Sequence, residues 1–286
     1  MTPSSPLILG GLLAALAGLG VAPHAIGPLR AQDTPAGEPP GELVTDRPDQ
    51  TESAAVVPPG YVQVETGVLF SRDEAGGEET ETVEGPGTLV RIGLGSRTEL
   101  RLGWDGWVRE ERELAGARGG SRADGPADAE VGAKMKLRDE AGRLAEAALL
   151  VGVSLPIGDD ELTSDRLDPS LLLALAHTLS ERLSLGYNAG VVWSSEVGDQ
   201  GVRETYSHLV YTGALGVGLT DRLGAFAELF GEEPLDAPGG SVVSADGGFT
   251  WLLRPKLQLD AYAGAGLTEE APDWFAGAGL SLRWPR

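Results

Sequence analysis

The chain has 286 residues, a formal net charge of −21, 42 glycines and no cysteine. The lack of cysteine excludes disulfide bonds and thiolate metal sites. The acidic balance disfavours nucleic acid and anionic lipid surfaces as partners, because both require clustered Lys and Arg. We therefore expect no nucleic-acid partner.

The first 31 residues contain the longest apolar run of the chain, Leu7 to Val21, which at about 15 residues is too short to span a bilayer as a helix. Small residues follow it, as in a secretory signal peptide. We predict a signal peptide over residues 1–31 that is cleaved after Ala31, with Ala25 as the second choice. The alternative is a surface helix.

Residues 32–60 are predicted to form a periplasmic lead-in. Gln32 to Gly41 is proline-rich and has the composition of a spacer. Thr45 to Ser53 differs from it, because this nonapeptide is polar, densely charged and directly precedes the first predicted strand. Its candidate functional residues are Asp46, Arg47, Pro48, Asp49, Thr51 and Glu52.

From Tyr61 onward, apolar and polar residues alternate with a period of two, which predicts β-strands. In the first strand Val62 and Val64 alternate with Gln63 and Glu65. The predicted strands lie near residues 61–70, 87–95, 98–108, 128–137, 144–155, 170–179, 183–193, 204–219, 222–231, 241–253, 256–267 and 273–284. Charged side chains on one face of so many strands are costly in a dry sandwich core but are expected in a barrel with a wet lumen.

Short turns and longer polar loops alternate between these strands. Predicted tight turns include Gly95–Arg97 and Ser180–Arg182, and predicted long loops include Ser71–Pro86 and Arg109–Ala127. An even strand count with this alternation is typical of outer-membrane barrels with both ends in the periplasm. We therefore predict an all-β fold, an antiparallel transmembrane β-barrel of about 12 strands over residues 61–286, in the outer membrane of a Gram-negative-type bacterium.

Several aromatic residues of the outward parity favour the same location, because aromatic girdles mark membrane interfaces. They are Trp104, Trp107, Tyr187, Trp193, Tyr211, Trp251, Trp274 and Trp284. The expected partners are outer-membrane lipids and the barrel assembly machinery.

The opposite parity defines the predicted lumen lining. The candidate pore-lining residues are Glu65, Arg91, Glu99, Arg101, Asp105, Glu130, Lys134, Glu146, Glu228, Asp246, Asp260 and Arg283. Two interpretations stay open: these charges fill a narrow barrel with ion pairs, or they line a constriction that selects solutes by charge and size. About 12 strands enclose a lumen only moderately wider than a filled eight-stranded barrel.

No pattern of enzymatic chemistry is evident. His177 and His208 lie in predicted strands without an acid and a nucleophile at recognisable spacing. No phosphate-binding glycine loop occurs, and the acidic loop from Asp73 to Glu84 does not match an EF-hand. We expect no enzyme activity, no catalytic residues, no cofactor and no metal site. A lipase-like barrel with a Ser/His pair is a less favoured alternative, since such geometry cannot be read from sequence order.

The nonapeptide and the strands after it resemble an outer-membrane transporter family named for the meta-pathway of phenol degradation. The resemblance starts at Thr45–Ser53 and Pro58–Gly60 and covers nearly the whole predicted mature chain. Further similar stretches follow in family order: Leu155–Asp159, Gly186–Asn188, Ala227–Gly231, Asp246–Phe249, Gln258–Asp260 and Asp273–Phe275. The resemblance implies passage of aromatic or other small hydrophobic compounds.

Together these features predict an outer-membrane channel for passive passage of small molecules. A structural or adhesive barrel without an open pore is the alternative, and an outer-membrane hydrolase is the less favoured one. We predict that Thr45–Ser53 folds into the lumen as a plug, where it pairs with charges such as Arg91, Arg101, Lys134 and Arg283. The alternative is a tethered linker, because segments ahead of a first strand are often loosely ordered.

Overall fold

The computed structural model describes residues 43–114, 120–197 and 202–286. The predicted signal peptide and the first part of the lead-in lie outside these residues. The described chain forms fourteen β-strand segments. They are β1 (Tyr61–Ala75), β2 (Glu78–Gly93), β3 (Thr98–Trp104), β4 (Trp107–Leu114), β5 (Gly120–Pro126), β6 (Ala129–Arg138), β7 (Glu146–Leu155), β8 (Asp168–Thr178), β9 (Leu183–Val197), β10 (Arg203–Gly218), β11 (Leu223–Pro234), β12 (Val242–Arg254), β13 (Leu257–Gly266) and β14 (Trp274–Pro285).

The strands form a closed antiparallel barrel. β1 pairs with β2 on one side and with β14 on the other, from Tyr61 opposite Pro285 to Arg72 opposite Trp274. β3 and β4 pair with successive halves of β2, and β6 and β5 continue beside them. β3 with β4, and β5 with β6, therefore each act as one barrel strand, so fourteen segments make twelve barrel strands. The predicted fold is confirmed.

The strands extend further at the long-loop end than the sequence predicted. β1 and β2 continue through the predicted loop Ser71–Pro86 and meet at a turn formed by Gly76 and Gly77, both with positive φ. β4 and β5 likewise occupy much of the predicted loop Arg109–Ala127. The loop prediction was wrong there because dense charge is compatible with strand pairing where both faces of a strand meet water. In fact, Arg72 pairs across the hairpin with Glu79 and Glu81.

A row of ladder interruptions crosses four neighbouring barrel strands. The β1–β2 register shifts at Val68, opposite Gly85–Pro86 in β2. The next two interruptions are Asp105–Gly106, between β3 and β4, and Ala127–Asp128, between β5 and β6. Pro86 has no N–H to donate to a ladder, and Gly106, with a φ of 91°, lets the backbone approach the Pro86 carbonyl. Ala127 donates its N–H to the Gly106 carbonyl at 2.9 Å, which holds the two breaks together.

The outer and inner faces of the wall differ in polarity. Outward side chains such as Leu102, Val131, Met135 and Trp251 are apolar and more than a third exposed. Inward charged side chains such as Arg91 and Lys134 are fully buried. The described part of the chain contains no helix with the length and hydrophobicity of a transmembrane span.

Candidate lumen site and its plug

The lead-in segment lies inside the barrel, surrounded by inward-facing side chains. Thr45, Asp46, Asp49 and Thr51 have no exposed surface, and Glu52 is 2% exposed. We call Thr45–Ser53 the plug. A short polar segment can be buried only if its backbone and side-chain polar groups find partners in the wall.

Asp46 is the central acceptor of the plug. Its carboxylate contacts the Arg101 guanidinium and lies 2.8 Å from Lys134 Nζ and 3.0 Å from Arg91 Nη1. Its backbone N–H donates to Glu65 Oε2 at 2.7 Å. All of these side chains are buried, so water does not screen their charges. The charges are compensated by one another within the network.

Glu52 forms a second bridge between the plug and the same wall. Its carboxylate accepts from Arg101 Nη2 at 2.5 Å and lies 3.1 Å from Lys134 Nζ. Its backbone pairs with the Asn188 amide, which accepts the Glu52 N–H and donates to the Glu52 carbonyl at 2.9 Å. Burial raises the pKa of Glu52 to about 7, while the nearby Arg101 and Lys134 charges act in the opposite direction.

The plug also contacts the far side of the barrel. Arg47 Nη2 donates to Asp260 Oδ1 at 3.1 Å. Its guanidinium occupies space left by the missing side chains of Gly67 and Gly279, where an added Cβ would overlap it. Glu228 accepts from the Thr51 hydroxyl and, at 2.6 Å, from the Gln50 N–H. The plug therefore crosses the lumen from one wall to the other.

Except for Asp105, which lies between β3 and β4, the candidate pore-lining residues lie on the inward parity of their strands. Glu65, Arg91, Arg101, Lys134, Glu228 and Asp260 contact the plug, and Glu99 accepts the N–H of Val57 just after it. Arg283 donates to Gln63 Oε1 at 2.8 Å. Glu146 pairs with Lys136, and Asp246 lies opposite Glu228 in the register. Asp105 lies within the row of interruptions, and Glu130 on β6 lies beside it towards the long-loop end. The role of all twelve candidates in lining a pore stays a prediction.

Sequence reasoning missed the uncharged partners of the plug. Asn188, Thr212 and Gln258 all contact it, and Gln63 donates to the Val44 carbonyl just before it at 2.8 Å. Gln63 and Gln258 share the inward parity of Glu65 and Asp260 on their strands, whereas the strands of Asn188 and Thr212 hold none of the charged candidates. The predicted lumen lining contains charged residues alone, so it leaves out uncharged inward residues.

Two apolar clusters on the inner wall were also missed. Phe226, Tyr262 and Phe275 pack together with Leu69 and Phe230 beside them. On the opposite part of the wall, the second cluster consists of Leu150, Leu172, Ala174, Val192 and Val210. Tyr262 follows Asp260 by two residues in the direction of the long loops, and Val210 is similarly displaced from Thr212. The apolar clusters therefore continue the lumen wall beyond the contacts of the plug.

A family model described as "Putative MetA-pathway of phenol degradation" matches residues 45–284, which begin at the plug and end in β14. The chain belongs to this family. The family resemblance deduced from the sequence is thereby confirmed. No curated protein matches the sequence.

Solved structures with the same fold are outer-membrane proteins. An outer-membrane channel from Pseudomonas putida F1 is 14% identical, with a TM-score of 0.60, and the match covers 80% of this chain and 97% of that one. The translocator domain of the autotransporter NalP from Neisseria meningitidis is also 14% identical, with a TM-score of 0.53, and the match covers 78% and 88%. At this identity the likeness establishes the fold. The chain is an outer-membrane β-barrel protein of the Gram-negative type, as predicted.

Among the described residues, no group of three or more His, Asp and Glu side chains is arranged to hold a metal ion.

Proposed function

We propose that the protein is an outer-membrane channel for passive passage of small molecules, closed by the plug in the described conformation. This proposal rests on the way in which the lumen is closed. The lumen is filled by a segment that precedes the first strand and forms no part of the wall. A separate segment held by ion pairs and hydrogen bonds can move while the barrel stays intact. The family membership and the barrel fold support the same function.

The inner wall favours apolar or aromatic solutes. Beyond the plug it presents the aromatic cluster around Phe226, Tyr262 and Phe275, and across from it the aliphatic cluster around Leu172 and Val192. Ligand sites are commonly lined by apolar and aromatic side chains with a few polar groups that fix orientation. The family description, which concerns phenol degradation, agrees with this solute class.

A reversible crosslink tests whether movement of the plug opens the channel. A Cβ placed at Gly186 would lie 3.0 Å from Thr51 Cγ2, so the pair T51C/G186C brings two thiols within reach of a disulfide. The chain has no native cysteine that would compete. We expect the oxidised variant to conduct no ions in planar bilayers and to pass no small phenol into liposomes, and reduction should restore both.

The single variants T51C and G186C are the controls, because neither can crosslink the plug, so oxidation and reduction should leave the conductance and flux of each unchanged. The parent protein must itself show conductance or flux. If neither the parent nor the reduced variant shows either, the barrel is structural or adhesive, and the channel proposal is wrong.

A further inference from the structure

A serine, a histidine and a glutamate meet on the inner wall, on the long-loop side of the plug. Ser194 on β9 lies with its Oγ 3.1 Å from Nε2 of His208 on β10. On the other side of the ring, Nδ1 lies 2.8 Å from Oε1 of Glu232 on β11. The three strands are consecutive neighbours in the barrel, so the pairing register fixes the order of the three side chains.

We propose that Ser194, His208 and Glu232 form a nucleophilic triad that hydrolyses small apolar esters. The arrangement has the connectivity that activates a serine: the hydroxyl contacts one ring nitrogen, and a carboxylate faces the other. His208 and Glu232 are 1% and 2% exposed, whereas Ser194 is only half-buried and is accessible to a substrate.

The environment of Glu232 is consistent with this role. No described residue donates a well-aligned hydrogen bond to either Glu232 oxygen, and the close contact of the carboxylate is with His208 Nδ1. A buried carboxylate in this position favours the tautomer with the proton on Nδ1, which leaves Nε2 free to accept a proton. It also stabilises the imidazolium that forms when Nε2 is protonated.

The neighbouring wall supplies a place for the acyl part of a substrate. Val192 precedes Ser194 by two residues on the same inner face, and Val210 is two residues beyond His208. Both belong to the aliphatic cluster with Leu150 and Leu172. An ester with a short aliphatic or aromatic acyl group can rest against this cluster with its carbonyl near Ser194.

The reaction balances with water as the only co-reactant. Ser194 Oγ forms a bond to the carbonyl carbon, its proton passes to His208 Nε2, and the alcohol leaves with that proton as the ester C–O bond breaks. Water then gives a proton to Nε2 and attacks the acyl group. Ser194 recovers its proton, and the carboxylic acid is released. The site lies beyond the plug contacts of Asn188 and Thr212, so the chemistry does not require the plug to open.

A fluorophosphonate probe tests the nucleophile directly. We expect the purified barrel in detergent to be labelled at Ser194, as located by mass spectrometry of its peptides, and to hydrolyse p-nitrophenyl butyrate. S194A should lose the label and at least about 100-fold of the hydrolysis rate, and H208Q should lose a similar factor.

S195A is the matched control, because Ser195 is the adjacent residue of the same strand but hydrogen-bonds to Asp168 and Thr205. It should keep both the label and the rate. E232Q should lower the rate without moving the label. Folding of each variant is verified by heat-modifiable gel mobility. A folded parent barrel that takes no label, or a folded S194A that keeps it, would overturn the proposal.

Discussion

Asp46 shows how much a single side chain contributes to closing the lumen. It contacts Arg91, Arg101 and Lys134 together. Glu99 on β3 contacts the same three side chains but belongs to the wall, whereas Asp46 belongs to the plug. Removing one partner from a buried ion network leaves uncompensated charge in a medium that solvates it poorly. The Asp46→Asn variant should therefore lower the free energy of unfolding by about 3–5 kcal/mol, as measured by urea titration in detergent.

Asp139→Asn is the matched control, because Asp139 also contacts two basic side chains but is partly exposed at a short turn. This substitution should lower the free energy of unfolding by no more than about 1 kcal/mol. Equal effects of the two substitutions would show that burial does not strengthen the contacts of the plug.

At the same scale, the sequence allowed inward residues and a set of basic partners for the plug to be named, but not which plug residue meets which wall residue. The period of two assigns Glu65, Arg101 and Asp260 to one face, because side-chain direction alternates along a strand. Which residues meet across the lumen depends on strand stagger and on the path of the plug, and neither is encoded in local periodicity. The Ser194–His208–Glu232 contact was hidden for the same reason, since its members come from three strands.

We expect the insertion of the plug into the lumen to depend on pH through Glu52. When inserted, Glu52 has a pKa of about 7, above its ordinary value of 4.5. As pH rises from about 4.5 to 7, a released plug loses this proton while an inserted plug retains it, so insertion weakens across this window. We expect more frequent channel opening at pH 8 than at pH 5 in single-channel recordings.

Glu52→Gln removes this titration and nearly preserves the size of the side chain. Its opening frequency should change less between pH 5 and pH 8 than that of the parent. Conductance size in the open state serves as the internal control, because it reports the pore rather than the plug. An unchanged pH response in Glu52→Gln would show that other groups control insertion.

The strands, as elements, were predicted well at their short-turn ends and poorly at their long-loop ends. Within the membrane the wall needs strict alternation of apolar and polar residues, and this alternation can be recognised in the sequence. Beyond the membrane both faces of a strand meet water, so β1 and β2 continue through the segment Arg72–Glu84 with charged side chains on both faces. The alternation fades there even though the backbone pairing continues.

For the whole molecule, the apolar outer face predicts how the barrel depends on lipid. Val131 lies between Leu102 and Val153 in the register and faces outward. Val131→Arg places a charge against hydrocarbon and should destabilise the barrel by about 2–4 kcal/mol, as measured by reversible unfolding in lipid vesicles. Val202→Arg, at an exposed position outside the strands, should leave stability within about 0.5 kcal/mol. A smaller effect at Val131 than at Val202 would contradict the outward assignment.

The closed barrel could be predicted from strand number, loop alternation and composition, because these features do not depend on how the strands are staggered. The contents of the lumen did not follow from them. The apolar cluster around Phe226 and Tyr262 lies on a face assigned to charges, because the same alternation accommodates either kind of side chain.

The burial of the plug has a consequence for biogenesis. Its partners come from strands near the start of the chain, such as β1 and β3, and from strands near its end, such as β11 and β13. These strands lie on the two sides of the seam where β1 meets β14. A plug that binds both groups while the sheet is still open brings the two edges together and lowers the entropic cost of joining them. The segment that closes the finished pore is thus positioned to act during assembly as a template for closing the sheet.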